Sequence, residues 1–129
     1  FYLYWYMAQT VSGRAYEDVQ EMLNKLAKDE LEHAQELADL ILKLGDIPTA
    51  NPMDLEKNAN APYTTPPKNT ADINRIIRIV AEAEAAAIEV YSKLAKKTLG
   101  KDHVTYQVVT HILSEEVEHE EIFENLSDR

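Results

Sequence analysis

An all-α fold of two helical hairpins joined by a long crossover is predicted by three features of the sequence. Glycine and proline stay out of the periodic stretches, apolar residues recur at helical spacing, and the first half of the chain resembles the second. Gly13, Gly45 and Gly100 each follow a periodic stretch, as a residue that ends a helix does. All five prolines (Pro48, Pro52, Pro62, Pro66, Pro67) fall between Gly45 and Thr70. Helices are therefore predicted to about Thr10, over about 15–44, about 70–98 and about 103–126. Asn69 or Thr70 is placed to cap the third, and Asp102 the fourth.

The repeat gives the hairpins their correspondence. Tyr4 precedes Gly13 by nine residues and Tyr91 precedes Gly100 by nine. Asp29-Glu30-Leu31-Glu32-His33 aligns with Glu115-Glu116-Val117-Glu118-His119. Matched hairpins of this kind suit a pseudo-twofold four-helix bundle. The segment at about 46–69 is too long for a turn between neighbouring helices, which takes roughly 2–8 residues. A helix of roughly 30 residues is about 45 Å long, and extended chain retraces it in roughly 14 residues at about 3.3 Å each. The segment is thus a crossover loop, and the second and third helices run parallel. One domain over 1–129 is expected; a disordered linker between two domains is the alternative.

Composition narrows the partners. The chain carries a net charge of -10, which argues against a nucleic-acid backbone or an anionic membrane. It has no cysteine, hence no disulfide frame and no thiolate metal site. The opening Phe-Tyr-Leu-Tyr-Trp-Tyr-Met-Ala is too short to span a bilayer and has neither the basic flank nor the cleavage site of a signal peptide. With no initiating Met, the first helix is expected to be truncated at its N-terminus. Phe1, Trp5 and Met7 read as core or subunit interface.

Charge in the wrong place is the functional signal. The second helix has an apolar stripe of Leu23, Leu26 and Ala27, then Glu30, then Ala34, Leu37, Ile41 and Leu44. The third runs Ile73, Ile77, Val80, then Glu84, then Ala87, Tyr91 and Leu94. In the fourth, Val109, Ile112 and Leu113 lead to Glu116 and His119, followed by Phe123 and Leu126. Spacing of i, i+3 sets Glu30 beside His33 and Glu116 beside His119 on one helix face. Chance supplies about half of one Glu-x-x-His in so acidic a chain, so it is the two matched copies that count. Three carboxylates and two imidazoles in a core would cost several kcal/mol unless something offsets them. A pair of divalent metals does so, and mixed oxygen and nitrogen ligation suits iron or manganese. A partly hydrated polar network in a metal-free bundle is the bland alternative. His103 and His111, on a turn and a polar face, read as ordinary surface residues.

These residues, with His-Ala-Gln-Glu-Leu-Ala-Asp-Leu-Ile-Leu-Lys-Leu-Gly-Asp-Ile-Pro and Leu-Ser-Glu-Glu-Val-Glu-His-Glu-Glu-Ile-Phe, carry a resemblance over nearly the whole chain. The chain resembles the ferritin-like di-iron carboxylate proteins, in particular bacterioferritins and the small Dps-like ferritins. The resemblance implies a ferritin-like four-helix bundle whose core holds two iron ions, with manganese or zinc as substitutes. It makes Glu30 and Glu116 the bridging ligands, His33 and His119 terminal ligands, and Glu84 the ligand of the third helix. The Tyr4-to-Tyr91 offset places the first-helix counterpart of Glu84 upstream of Phe1. Asp29 would hold His119, and Glu115 would hold His33. Tyr4 and Tyr91 flank the site, as packed core residues or as redox participants.

The implied activity is oxidation of Fe(II) by dioxygen or hydrogen peroxide for iron storage or detoxification. The implied setting is a cytoplasmic homo-oligomer. A 12-subunit shell is expected because no fifth helix follows the fourth, with a 24-mer or a dimer as alternatives. A non-storage di-iron or di-manganese oxidase or peroxidase, of rubrerythrin or manganese-catalase type, is the second reading. Two departures matter. Leu31 stands where haem-binding bacterioferritins carry their ligand Met, so no haem is expected there. The absence of cysteine removes the cysteine pair of some Dps-like ferritins and the rubredoxin domain of rubrerythrins.

Overall fold

A computed structural model describes residues 1–127. The chain forms α1 (Tyr2–Thr10), α2 (Tyr16–Lys43), α3 (Pro52–Lys57), α4 (Ile73–Thr98) and α5 (His103–Ser127). α1, α2, α4 and α5 match the expected helices, except that α4 starts at Ile73 rather than at about residue 70. The short α3 is an addition inside the crossover, started by Asn51, whose side chain accepts from the Met53 amide, and by Pro52 in the first turn. Among the described residues no helix is long and apolar enough to cross a membrane.

Local chemistry sets the ends. Glu17 and Asp18 occupy the first turn of α2 and Lys43 the last, each opposing the helix dipole. Gly45, at φ +88°, closes α2: its amide donates to the Leu42 carbonyl and the Asp46 amide to that of Ile41. This double closure satisfies carbonyls that a helix end leaves bare. At α5 the Asp102 carboxylate accepts from the Thr105 amide, as expected. The cap of α4 differs from expectation. Asn69 is spent on a turn, its side chain accepting from the Ala71 amide and its carbonyl from that of Asp72. Asp72 then caps the helix through the Arg75 amide.

Contacts fix the direction of each helix. His33 pairs with Glu115 while Asp29 pairs with His119, so α2 and α5 are antiparallel. Tyr4 meets Glu84, and Ser12 meets Thr70, so α1 and α4 are antiparallel. As α1 and α2 form one hairpin and α4 and α5 the other, α2 and α4 run parallel. The crossover is therefore a real one.

The main core gathers Tyr4, Met7, Ala8, Leu23, Leu26, Ala27, Ile76, Ile79, Val80 and Phe123. Leu40, Val109 and Ile112 are buried further along α2 and α5. Full burial of each large side chain is worth about 1.5–3 kcal/mol. Between the two groups lies a band with His33, Glu84, Glu116 and His119, all at most 3% exposed. The apolar stripes depart from the expected positions toward the helix ends. Ala34, Leu44, Leu94 and Leu126 are exposed, while Leu40, Ile76 and Ile79 are buried instead. Of the first-helix trio, Met7 is core, whereas Phe1 and Trp5 are exposed.

Gly13 ties the hairpins together. It sits at φ +90°, and a Cβ there would lie 3.1 Å from Cβ of Ala71. The adjacent Ser12 amide donates to the Thr70 carbonyl at 3.0 Å. Gly13→Ala is expected to cost at least about 1–2 kcal/mol, the penalty of a side chain in left-handed backbone. An unchanged urea midpoint would contradict this close approach.

Candidate metal centre

Each buried polar residue sits on an otherwise apolar helix face, so packing of the neighbours carries it inward. Phe123 and Ile112 flank Glu116 and His119 on α5, and Ile76, Ile79 and Val80 precede Glu84 on α4. One atom each from Glu30, Glu84, Glu116 and His119 lies within 4.8 Å of all the others. His33 joins them, its Nδ1 2.9 Å from Glu116 Oε1 and 3.6 Å from Glu30 Oε2. The two imidazole rings face each other at 6.5 Å between centroids. All five residues expected at the site are thus brought together, with Glu30 the most accessible at 21% side-chain exposure.

The two imidazoles are oriented by the opposite hairpin. His33 Nε2 is 2.6 Å from Glu115 Oε2, and His119 Nε2 is 3.0 Å from Asp29 Oδ2. These are the two pairings expected from the sequence. In the neutral tautomer that donates Nε2–H to the carboxylate, Nδ1 of each ring turns its lone pair to the interior. There the hydrogen bonding stops. His33 Nδ1, His119 Nδ1, Glu84 Oε2 and both carboxylate oxygens of Glu116 are buried without a hydrogen-bond partner. Native interiors rarely leave so many polar atoms bare in one place. His33 Nδ1 and Glu116 Oε1 approach to 2.9 Å, and neither makes a hydrogen bond. The donor set of carboxylates and imidazoles fits one or two divalent ions of the iron, manganese or zinc type.

Electrostatics describe the same need. Burial pushes the Glu30 and Glu116 carboxyls above their ordinary range, despite His33 beside each. Burial opposes charging of His33, but Glu116, Glu30 and Glu115 outweigh it and raise the imidazole to about 11. His119 is likewise opposed by burial and raised to about 9 by Glu84 and Asp29. Glu115 is held low by its bond to His33. The surrounding carboxylates thus favour positive charge on both imidazoles.

Two tyrosines complete the surroundings. Tyr4, buried in the core, donates from its hydroxyl to Glu84 Oε1 at 2.9 Å. Burial and the Glu84 charge push its ionisation far up. Tyr91 is raised to about 12 by burial and then by Glu30 and Glu116. Sequence spacing placed both beside the site, but the bond to Glu84 depends on helix rotation and was not legible. His111, read as an ordinary surface residue, lies 3.0 Å from Glu115 Oε1. Its place four residues before Glu115 on α5 was the available signal.

Paired Glu-x-x-His motifs and a third Glu converging inside a helical bundle are the arrangement of the ferritin-like carboxylate proteins. The chain belongs to the ferritin-like domain family, which it matches over residues 1–129. It is 29% identical over 126 residues to the DNA protection during starvation protein of Pyrococcus furiosus, covering 98% of this chain and 68% of that one. A solved structure of a dodecameric thioferritin, the bacterioferritin-related protein from Bacteroides fragilis, superposes with a TM-score of 0.90 at 34% identity. It covers 98% of this chain and 75% of that one.

Because His119 is raised, its stabilising charge is fully present below about 6.5 and lost as pH rises through about 9. The metal-free chain is expected to melt at a lower temperature at pH 10 than at pH 7; a flat profile contradicts this. Manganese at one hundred times its Kd is expected to stabilise by about 2.7 kcal/mol. Its binding should release protons and weaken as pH falls, which calorimetry in two buffers reads directly. Asp29→Ala or Glu115→Ala is expected to lower metal affinity roughly 10–100-fold.

Proposed function

We propose that residues 1–129 act as one ferritin-like domain that binds Fe(II) at an intrasubunit two-metal site and oxidises it for storage or detoxification. The observation that supports this most directly is the convergence of bare, buried donor atoms from both hairpins on one space. Iron is the substrate: two Fe(II) ions each give up one electron to dioxygen or hydrogen peroxide. In this reading Glu30 and Glu116 bridge the two ions. His33 and His119 bind through Nδ1, and Glu84 binds through the oxygen that Tyr4 leaves free.

The remaining residues prepare the site. Asp29 and Glu115 hold the Nε2–H protons, so each imidazole that gives up its Nδ1 proton to a metal is already aimed at it. Tyr4 holds one Glu84 oxygen and narrows the positions its carboxylate can take. Core residues on both sides exclude water, which strengthens charge interactions inside. The dodecameric assembly of the Bacteroides fragilis neighbour supports a homo-oligomeric shell of twelve for this chain as well.

Glu116→Gln is expected to abolish rapid ferroxidation in stopped-flow absorbance while circular dichroism shows the helical fold intact. Unchanged ferroxidation would count against the site. Light scattering is expected to report a shell; a dimer would end the storage part of the proposal and leave a non-storage oxidase or peroxidase.

A further inference from the structure

Oxidisable rings crowd the outer face of α1, away from the metal centre. This helix of 9 residues exposes Tyr2, Trp5 and Tyr6 by 57%, 41% and 38%. Tyr2 and Tyr6, four residues apart, share one helix face. Their ring centroids lie 6.3 Å apart, with the planes inclined by 29°. Trp5 stands 5.5 Å from Tyr2 by the same measure. Tyr4, between them in sequence, turns the other way: it is buried and its hydroxyl is given to Glu84. The two outer phenols are thus held together and open to solvent, while the inner one is shielded.

We propose that Tyr2 and Tyr6 form a covalent modification site, joined ring to ring as dityrosine when hydrogen peroxide is the oxidant. The reaction rests on the proposed iron oxidation only for the source of its one-electron oxidants. One hydrogen peroxide takes an electron and a proton from each phenol and leaves as two waters. The two phenoxyl radicals then join through a carbon–carbon bond ortho to each hydroxyl. The two displaced ring hydrogens move to the phenolic oxygens, so the chain has lost two hydrogen atoms in all. Radicals on separate molecules must meet by collision, whereas two on one helix face have a high local concentration. Rotation of exposed side chains, rather than movement of the helix, brings the rings into contact. Trp5 feeds the pair: an electron from Tyr2 restores an oxidised indole, and the phenol proton passes to water.

The site is tested on the assembled full chain by dityrosine fluorescence and peptide mass spectrometry. One arm uses Fe(II) with hydrogen peroxide, the other an external haem peroxidase with hydrogen peroxide. In both, the tryptic peptide 1–14, released by cleavage after Arg14, should lose two hydrogen atoms and resist fragmentation between residues 2 and 6. Tyr2→Phe or Tyr6→Phe, at exposed side chains where the fold tolerates the change, should abolish the product. Tyr16→Phe, at the start of α2, should leave it. Glu116→Gln, in which rapid ferroxidation is expected to be lost, should still crosslink in the peroxidase arm, so the tyrosine pair and the iron reading fail separately. No dityrosine in either arm, or a product that survives both Tyr2→Phe and Tyr6→Phe, overturns the proposal.

Discussion

The molecule is organised around the burial of charge. Desolvating Glu84 and Glu116 to zero exposure beside two buried imidazoles works against folding unless countercharge is supplied. The two imidazoles are the nearest source of it, each held from the opposite hairpin, His33 by Glu115 and His119 by Asp29. The rest is left open at Nδ1 and at the bare carboxylate oxygens. A fold that ends its hydrogen bonding at one interior point is arranged around something that brings positive charge there. The neighbouring carboxylates favour a proton on each imidazole, which brings some of that charge.

That band of charge divides the hydrophobic core. Leu23, Leu26, Ile79, Val80 and Phe123 pack on one side, while Leu40, Val109 and Ile112 pack further along α2 and α5. The apolar residues dictate which face of each helix turns inward, and the acids ride on that face. Rigid helices rather than loops thus carry the donors, the arrangement that holds a site to fine tolerance.

Much of this was legible in the residues. Glycine and proline marked the helix ends, because few other residues tolerate those backbone positions or refuse the helix so strictly. The paired Glu-x-x-His motifs and Glu84 stood out because carboxylates rarely interrupt apolar stripes. What failed was finer. A stripe read at fixed spacing drifts from the true inward face, so Leu40 and Ile76 were passed over for Ala34 and Leu94. The α4 start was misplaced by a turn at Asn69 that imitates a cap. The Tyr4–Glu84 bond depends on the relative rotation of separate helices, which no local pattern encodes.

The parallel course of α2 and α4 has a further consequence. Since each half of the bundle orients the imidazole of the other, two free copies of one hairpin could in principle meet and rebuild a similar arrangement. Their success would then depend on how often they collide. The crossover turns that encounter into a tethered one, with a local concentration set by loop length rather than by abundance. Assembly of the interior is thereby made independent of how dilute the protein is.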